Sequence, residues 1–385
     1  MRFDGLLDVS EDYLLLVYQN LSVQLIVYLI ALTFVFWAVI VLTSPVNLIR
    51  DFSRTDVNLN RLKKPTSFPN GWISVCESQH LKNNKIERFD FWADFSVGGK
   101  IVKKRDSDCV RCPFHGWIFR ANDGLCLEVP YPPNGVKVKV WKCLEMSGFI
   151  YIWHHSEDED PTWTPPDIDH ISTKKWKYFG RTEHSLNCLL QVSRVNMLLY
   201  LPLQYQSSFQ EIPENGADSA HLNEIHAPSF MLGGKVQAAK NSVIDAFSHS
   251  WEITWQKGAS NEIEQIGPAI VNLFFNFNLF GIQFEGCFIQ SVIPLAIDKQ
   301  KIIHHLYMEP KWISSLLAQF FLRVEAINHG NIKLLERDIQ VWSNKIYLKN
   351  PNLVKEEKQI VAFRRWYSQF FSDPKEPQYK FEDLW

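Results

Sequence analysis

The apolar segment at residues 21–43, LSVQLIVYLIALTFVFWAVIVLT, limits what the first part of this chain can form. It carries no charge and is long enough to cross the roughly 30 Å hydrocarbon core of a bilayer as a helix. Two alternatives are a cleaved signal peptide and a buried core helix. A signal peptide is disfavoured because the run starts late, is too long and lacks a clean cleavage site of small residues. We expect a retained transmembrane helix (about 21–43) within an N-terminal region of residues 1–45.

The charges on either side of this segment predict its orientation. Acidic residues dominate before it, whereas five basic residues follow it: Arg50, Arg54, Arg61, Lys63 and Lys64. By the positive-inside rule, the C-terminal side of the span faces the cytosol. The seven cysteines agree, since their number is odd and their spacing does not suggest a disulfide framework. The expected location is a single-pass membrane protein, with the endoplasmic reticulum as the default membrane.

The remaining chain divides by composition. Residues 46–68 are polar and contain proline, which predicts a linker, and residues 69–160 alternate short β-rich runs with turn residues, which predicts a small all-β domain. Residues 161–385 combine amphipathic strands with long helical patterns and predict an α+β domain with an antiparallel sheet. With 40 basic and 42 acidic residues, the chain has a formal charge of −2, so no basic field suggests a nucleic-acid partner.

The stretch CPFHGW at residues 112–117 contains half of an iron–sulfur binding motif. Rieske-type 2Fe–2S clusters bind one iron through two cysteines and the other through two histidines. Cys112 and His115 have the Cys-x2-His spacing of the downstream ligand pair, and Pro113 and Gly116 favour a tight loop. The alternatives are a buried cysteine beside a core histidine, or a zinc loop formed by Cys109, Cys112 and His115.

The upstream ligand pair, Cys-x-His, is absent from the sequence. No histidine lies between His80 and His115, and Cys76 and His80 belong to a stretch that we interpret as a first strand. The segment that normally follows the upstream pair, ADFSVGGKIV, here comes directly after KIERFDFW. Several strands and the first ligand loop are therefore missing between about Phe89 and Ala93.

A second metal signature lies at residues 211–226, EIPENGADSAHLNEIH. His221 and His226 can reach one metal from a helix if the helix is slightly irregular. Two histidines and one carboxylate form the facial triad of non-haem Fe(II) oxygenases, which leaves positions open for O2 and substrate. Asp338, in LLERDIQVW at 334–342, is the candidate carboxylate. Asp218 is expected to hydrogen-bond a ligand histidine and fix its tautomer. The alternative is an ordinary polar helix face.

With both signatures in this order, the chain resembles the Rieske non-haem iron oxygenases, and more closely their membrane-anchored animal branch, the cholesterol 7-desaturases (the Neverland group). The matching stretches are CPFHGW, DPTW at 160–163, GRTEH at 180–184, the histidine signature, ERD..VW and FRRWYSQF at 363–370. The fold implied is a truncated Rieske-like domain (69–160) followed by a helix-grip α+β catalytic domain (161–385).

The resemblance also implies an activity and partners. The reaction would be the O2-dependent 7,8-dehydrogenation of cholesterol to 7-dehydrocholesterol in steroid hormone biosynthesis. Electrons would come from NAD(P)H through a separate reductase, then through a Rieske 2Fe–2S cluster to a mononuclear non-haem Fe(II). In relatives that transfer crosses a subunit boundary within a homotrimer, and Asp218 matches the bridging aspartate.

Two features depart from the family. The first is the missing Cys-x-His loop, and the second is an apolar insertion at about 192–210, VSRVNMLLYLPLQYQSSFQ, before the histidine signature. A deletion at one motif and an insertion before the other suggest alternative splicing or a faulty gene model, with genuine divergence as the alternative. A chain with only Cys112 and His115 is expected to lack the cluster and to be inactive. A non-catalytic, membrane-anchored sterol-binding protein is therefore the rival function.

Overall fold

The computed structural model describes residues 5–51, 68–82, 100–104, 106–129, 135–187, 211–226, 236–255, 260–279, 281–296, 299–311, 337–339, 341–342, 352, 354 and 357–372. The predicted missing junction around Phe89 and the apolar insertion at 192–210 lie outside these residues.

The N-terminal helix, α1 (Gly5–Thr43), is longer than the predicted span. Within it, Tyr18–Val41 is long and apolar enough to cross a membrane, and none of that stretch is buried against the rest of the protein. Exposed apolar side chains are stable in lipid but not in water, which separates this helix from a core helix. The additional turns at its start carry Asp8, Glu11 and Asp12, so they lie beyond the apolar part.

Strand β1 (Val46–Asp51) follows α1 after only two residues and corrects one prediction. The start of the predicted linker is not a linker, because β1 pairs in parallel with β9 (Lys177–Asn187), from Val46 opposite Gly180 to Asp51 opposite Ser185. The polar composition hid this strand, since an edge strand does not need the apolar alternation of a central one. The candidate membrane span is therefore joined almost directly to the large sheet.

The large sheet has eight strands in the order β1-β9-β15-β14-β13-β12-β11-β10. Apart from the β1–β9 pair, every pairing in it is antiparallel, as the sequence predicted for the C-terminal domain. The strands beyond β9 are β10 (Val236–Ile244), β11 (Ser248–Trp255), β12 (Ser260–Ile266), β13 (Ile270–Leu279), β14 (Ile282–Ala296) and β15 (Lys299–Met308).

Two small sheets form the all-β region predicted at 69–160. One has the order β2-β8-β7 and the other the order β3-β4-β5-β6. Their strands are β2 (Gly71–Glu77), β3 (Lys100–Lys104), β4 (Ser107–Arg111), β5 (Ile118–Arg120), β6 (Cys126–Glu128), β7 (Cys143–Met146) and β8 (Phe149–His154).

Few helices are described besides α1. They are α2 (Asp169–Ser172), α3 (Glu211–Glu214), α4 (Ser219–His221) and α5 (Lys358–Tyr367), with helical backbone also at 337–339 and 341–342. A π-helical turn lies at Leu222–His226 and 3₁₀ turns at Ser78–His80 and Ser368–Phe370. Helix α5 overlaps the first five residues of the FRRWYSQF motif and buries Ile360, Phe363, Trp366 and Tyr367 on one face.

Two apolar cores hold these layers together, one on each face of the large sheet. The first joins the helices to the sheet and contains Ile212, Trp251, Val292, Ile302 and Phe363. The second joins the β2-β8-β7 sheet to the opposite face and contains Trp72, Phe149, Cys287, Ile289 and Tyr307. Alternation along β14 and β15 produces this division, because successive side chains of a strand point to opposite faces.

The turn at Gly267 explains why the DPTW stretch lies between the two domains. Gly267 has φ +53, and a Cβ atom there would collide with the indole ring of Trp163. Trp163 packs against both cores and stacks on Phe247 with ring centroids 5.1 Å apart. Only glycine allows both the left-handed backbone and this close approach.

Candidate functional site

The predicted metal histidines lie on two short consecutive helical turns. His221 ends α4, and the π-helical turn Leu222–His226 follows without a break. In a π-turn the backbone bonds run from i to i+5, so residues five apart lie one above the other. The slight irregularity that the His221–His226 spacing required is thus present in the backbone. The side chain of His226 lies outside the described residues.

Asp218 positions His221, though with a different group from the predicted one. Its carboxylate caps α4 by accepting hydrogen bonds from the backbone N–H groups of Ala220 (3.1 Å) and His221 (3.3 Å). Its backbone carbonyl, and not the carboxylate, accepts a hydrogen bond from Nδ1 of His221. The Asp218 carboxylate points toward α4 because the first backbone N–H groups of a helix have no partner within the helix, and the N-cap side chain accepts their hydrogen bonds. With Nδ1 donating, Nε2 of His221 carries the lone pair that a metal requires.

Asp338 lies in helical backbone at 337–339 and 341–342 and is 4% exposed. Its neighbours Ile339 and Trp342 belong to the same core as Ile212 and Ala217, which flank the histidine segment. The indole Nε1 of Trp342 donates a hydrogen bond to Oδ1 of Asn215 over 3.3 Å. Because Trp342 follows Asp338 by one helical turn, this bond fastens the carboxylate-bearing helix to the loop before Asp218.

A buried ion pair fixes the other side of the histidine segment. Arg364 of α5 donates two hydrogen bonds to the carboxylate of Glu214, at 2.7 and 2.8 Å. The side chains are 15% and 5% exposed. A bidentate arginine–carboxylate pair of this kind is geometrically specific. It therefore sets the position of α3 relative to α5, and with it the start of the EIPENGAD stretch.

The described residues do not by themselves assemble the predicted triad. No three histidine, cysteine, aspartate or glutamate side chains within the described ranges come together as a metal site. His226 cannot be placed in such a group because its side chain is not described. The assignment of His221, His226 and Asp338 as metal ligands, with Asp218 beside them, therefore stays a prediction.

The CPFHGW stretch forms the tight loop that joins β4 to β5. The backbone N–H of Cys112 donates to the carbonyl of Trp117 (2.8 Å), and that of Gly116 donates to Cys112 (3.0 Å). Gly116 has φ +74, a conformation that favours glycine. The ring of His115 is exposed and lies edge-on to Phe114, with centroids 4.1 Å apart. The loop presents Cys112 and His115 at one tip, as a ligand loop would.

The zinc-loop alternative is wrong for the residues that it names, all of which are described. Cys109, Cys112 and His115 do not form a metal group. Cys109 lies in β4, is 1% exposed, and its thiol donates to the carbonyl of Ser107 at 3.5 Å. Successive strand residues point to opposite faces, so Cys109 is directed into the small domain and away from the loop tip.

Cys76 lies in a strand, as predicted, and His80 ends the 3₁₀ turn that follows it. Cys76 lies in β2 and is 6% exposed; burial, with a smaller contribution from the charge of Glu77, raises the pKa of its thiol to about 11. A thiol of this kind resists forming the thiolate that binds iron. Nδ1 of His80 pairs with the carboxylate of Glu77 at 2.7 Å.

Comparisons with known proteins place the chain in a family. The C-terminal domain of 3-ketosteroid 9α-hydroxylases matches residues 152–371. The cholesterol 7-desaturase of Caenorhabditis elegans is 32% identical over 370 residues, covering 80% of this chain and 78% of the relative. That of Xenopus laevis is 32% identical over 373 residues, covering 83% and 75%. The chain belongs to the cholesterol 7-desaturase family.

A solved structure confirms the fold of this desaturase-family chain. The crystal structure of dicamba monooxygenase bound to dicamba aligns with a TM-score of 0.51 at 12% identity, covering 80% of this chain and 98% of that one. This chain therefore shares with that structure a small β domain followed by a mainly antiparallel sheet with helices on one face. The predicted fold class is confirmed.

The nematode comparison also bears on the predicted deletion. The alignment extends over 370 positions, yet it includes only 80% of the 385 residues of this chain. It must therefore contain positions at which the relative has a residue and this chain has none. That agrees with a deletion relative to the family.

Sequence reasoning missed a buried charge cluster at the joint between the two domains. The carboxylate of Glu77, at the end of β2, accepts hydrogen bonds from Nη1 of Arg181 at 2.8 and 3.0 Å and from Nε2 of His305 at 2.7 Å. Arg181 also pairs with Glu183 at 3.2 Å. The GRTEH motif contains Arg181 and Glu183, but only the tertiary structure reveals Glu77 as a partner of Arg181.

The Trp342–Asn215 bond leads to a test of how the carboxylate helix is positioned. Trp342→Phe keeps an aromatic ring in the core and removes the donor, so we expect Fe(II) affinity to fall about tenfold with little loss of thermal stability. Trp366→Phe is the matched control, since Trp366 lies in the same core but donates to the carbonyl of Asp245. The Fe(II) affinities of both variants are measured by iron titration. Equal Fe(II) affinities for Trp342→Phe and Trp366→Phe would exclude a positioning role for Trp342.

Proposed function

We propose that this protein is, by descent, a sterol oxidoreductase that introduces the 7,8 double bond into cholesterol. The observation that carries the proposal is the match to cholesterol 7-desaturases at 32% identity over most of both chains. The balanced reaction consumes cholesterol, O2, NAD(P)H and one proton and yields 7-dehydrocholesterol, NAD(P)⁺ and two waters. The family implies a Rieske cluster and a non-haem iron for this chemistry.

The residues for the mononuclear iron fit the group. His221, His226 and Asp338 would hold Fe(II), since two imidazoles and one carboxylate are the donor set that this ion takes in non-haem oxygenases. When bound, the iron would supply O2 activation. The chain itself holds Nδ1 of His221 protonated through the Asp218 carbonyl, and the side chains that surround Asp338 exclude water.

The residues for the Rieske cluster do not fit. Two cysteines and two histidines are required, and only Cys112 and His115 are available in the loop. Residues 83–99, which precede β3, contain neither cysteine nor histidine. We therefore derive no electron transfer through a cluster in this chain.

The setting of the reaction follows from the anchor and the family. The exposed apolar helix α1 would hold the protein in a membrane, and the basic residues after it would place the catalytic domain in the cytosol, on the endoplasmic reticulum by default. Cholesterol would be the substrate and an NAD(P)H-dependent reductase the electron donor. A homotrimer would bring Asp218 of one subunit toward the CPFHGW loop of the next.

A second candidate function is favoured by the incomplete cluster. A chain that cannot deliver electrons could still bind sterol as a non-catalytic, membrane-anchored protein. Its catalytic-domain fold and anchor would be intact, and only redox chemistry would be lost. The two functions share the sterol but differ in whether 7-dehydrocholesterol forms.

The iron site is tested by metal binding. We expect the full-length chain, purified without oxygen and loaded with Fe(II), to retain about one iron per chain. His221→Ala should weaken iron binding more than about a hundredfold, because removal of a ligand costs more than removal of an outer partner. His170→Ala, at an exposed histidine of α2, is the control. Unchanged iron content in His221→Ala would show that His221 is not a ligand.

A further inference from the structure

The large sheet presents two chemically different faces, and one of them carries the metal-site segment. Along β14, Cys287 and Ile289 face the small domain, whereas Phe284, Phe288 and Val292 pack on the helix side. Along β15, Tyr307 faces the small domain and Ile302 and Leu306 the helix side. The inner face, defined as the helix side, also receives Ile212 and Ala217 from beside the histidines.

A polar row interrupts this inner face on three neighbouring strands. Gln290 of β14 lies directly opposite His304 of β15, which in turn lies opposite Thr182 of β9. By strand alternation all three point to the inner face, since they share the parity of Phe288, Leu306 and Leu186. Nε2 of His304 bonds Oε1 of Gln290 over 2.8 Å. Apolar side chains flank the row on the same strands, with Phe288 and Val292 beside Gln290, and Ile302 and Leu306 beside His304.

The Gln290–His304 pair has unused hydrogen-bonding capacity. Because Nε2 donates to the amide oxygen, Nδ1 of His304 is an acceptor and the Gln290 amide nitrogen is a donor. Burial keeps the imidazole neutral by lowering its pKa to about 3. Within the described part of the chain neither atom has a hydrogen-bond partner, and neither is among the fully enclosed polar atoms. Among the described residues, one donor and one acceptor therefore remain without a partner, side by side on an apolar face of the sheet.

We propose that Gln290 and His304 bind the 3β-hydroxyl group of the sterol. The hydroxyl would donate its proton to Nδ1 of His304 and accept a hydrogen bond from the amide of Gln290. The inference rests on the proposed function and deepens it, because it names the group of the substrate that the site recognises.

The chemistry of the row favours a hydroxyl over a charged group. A hydroxyl is both donor and acceptor, and so is the Gln290–His304 pair. The pair carries no charge, whereas a carboxylate or phosphate would call for arginine or lysine. An amphiphile with one hydroxyl on a rigid apolar body matches one polar row on an apolar face.

The test compares two sterols that differ only in this hydroxyl. Full-length protein in lipid nanodiscs is titrated with cholesterol and with cholest-5-ene, which has the same skeleton without the hydroxyl. We expect cholesterol to bind about tenfold more tightly, as for one or two net hydrogen bonds. Gln290→Met and His304→Phe should each remove most of this preference while leaving the affinity for cholest-5-ene unchanged.

Gln283→Met is the matched control, since Gln283 lies on the same strand but is exposed and bonds Asn276 and Asn278. It should keep the full preference. Equal binding of both sterols by the wild type, or an unchanged preference in both row variants, would overturn the hydroxyl site but not the proposed function. If the wild type binds neither sterol, both proposals fail. Gln290→Met retains the length of the side chain and is the milder change. If His304→Phe fails to fold, Gln290→Met alone therefore still tests the hydroxyl site.

Discussion

Purified without oxygen and supplied with iron and sulfide, this chain will show neither the optical bands nor the EPR signal of a reduced Rieske cluster. The reason is ligand number, because Cys112 and His115 provide one thiolate and one imidazole where two of each are needed. The loop that carries them is otherwise well formed, with its backbone closed between Cys112 and Trp117 at 2.8 Å. The expected effect is complete loss of the cluster, and no 7-dehydrocholesterol should form when a reductase and NAD(P)H are added.

A gain-of-function chimera separates this explanation from a general defect. Any residues that the nematode relative has between the positions aligned with Phe89 and Ala93 are inserted into this chain. We expect the chimera to recover the cluster signal, and the same chimera with Cys112→Ser to lose it again. A second chimera that also lacks residues 192–210 tests whether the apolar insertion limits turnover. A cluster signal from the unmodified chain would contradict the assignment of the missing ligands.

Glu77→Ala will destabilise the folded protein by about 3–5 kcal/mol, because it leaves Arg181 buried at the domain joint without its main counter-charge. The side chains of Glu77, Arg181 and His305 are 5%, 16% and 1% exposed, so water cannot replace the lost contacts. Thermal unfolding in detergent measures the change. Glu128→Ala removes a glutamate from an exposed pair with Lys104 and should leave the melting temperature unchanged. Equal melting temperatures for both variants would refute the role of the cluster.

The cluster also predicts a pH dependence. Burial alone would raise the pKa of Glu77, but the hydrogen bond and charge of His305 and the charge of Arg181 outweigh it and lower that pKa to about 2. Burial lowers the pKa of His305, and its bond to Glu77 offsets only part of this. Both groups bind protons more readily in the unfolded chain, so the free energy of unfolding decreases as the pH is lowered. The loss due to His305 begins at about pH 6.5, and the loss due to Glu77 occurs between about pH 4.5 and about pH 2. In Glu77→Ala the loss of stability between about pH 4.5 and about pH 2 should disappear.

Much of the site could be predicted because its chemistry is local in sequence. The tight loop of CPFHGW needs a glycine at Gly116, and the histidine signature needs an irregular helix, which the π-turn at Leu222–His226 provides. The role of Asp218 was less predictable. The sequence could place it next to His221, but not tell whether its carboxylate or its carbonyl would meet the ring.

Contacts between distant segments could not be predicted. Strand β1 has the composition of a linker and becomes a strand only because β9 offers a free edge. Glu77 precedes Arg181 by 104 residues and His305 by 228, and nothing in the local sequence of β2 marks it as their partner. The row of Gln290 and His304 likewise depends on the register between β14 and β15.

By itself, the sequence determined the candidate membrane span, the family motifs and the lack of a Cys-x-His pair upstream of CPFHGW, since each depends on the residues of one short segment. Only the tertiary structure decided which distant side chains share a site: the charge cluster at the domain joint, the Trp342–Asn215 link and the polar row on the inner face. The physical reason is that strand register and packing set these distances, and a one-residue shift in register would move every side chain of a strand to the opposite face.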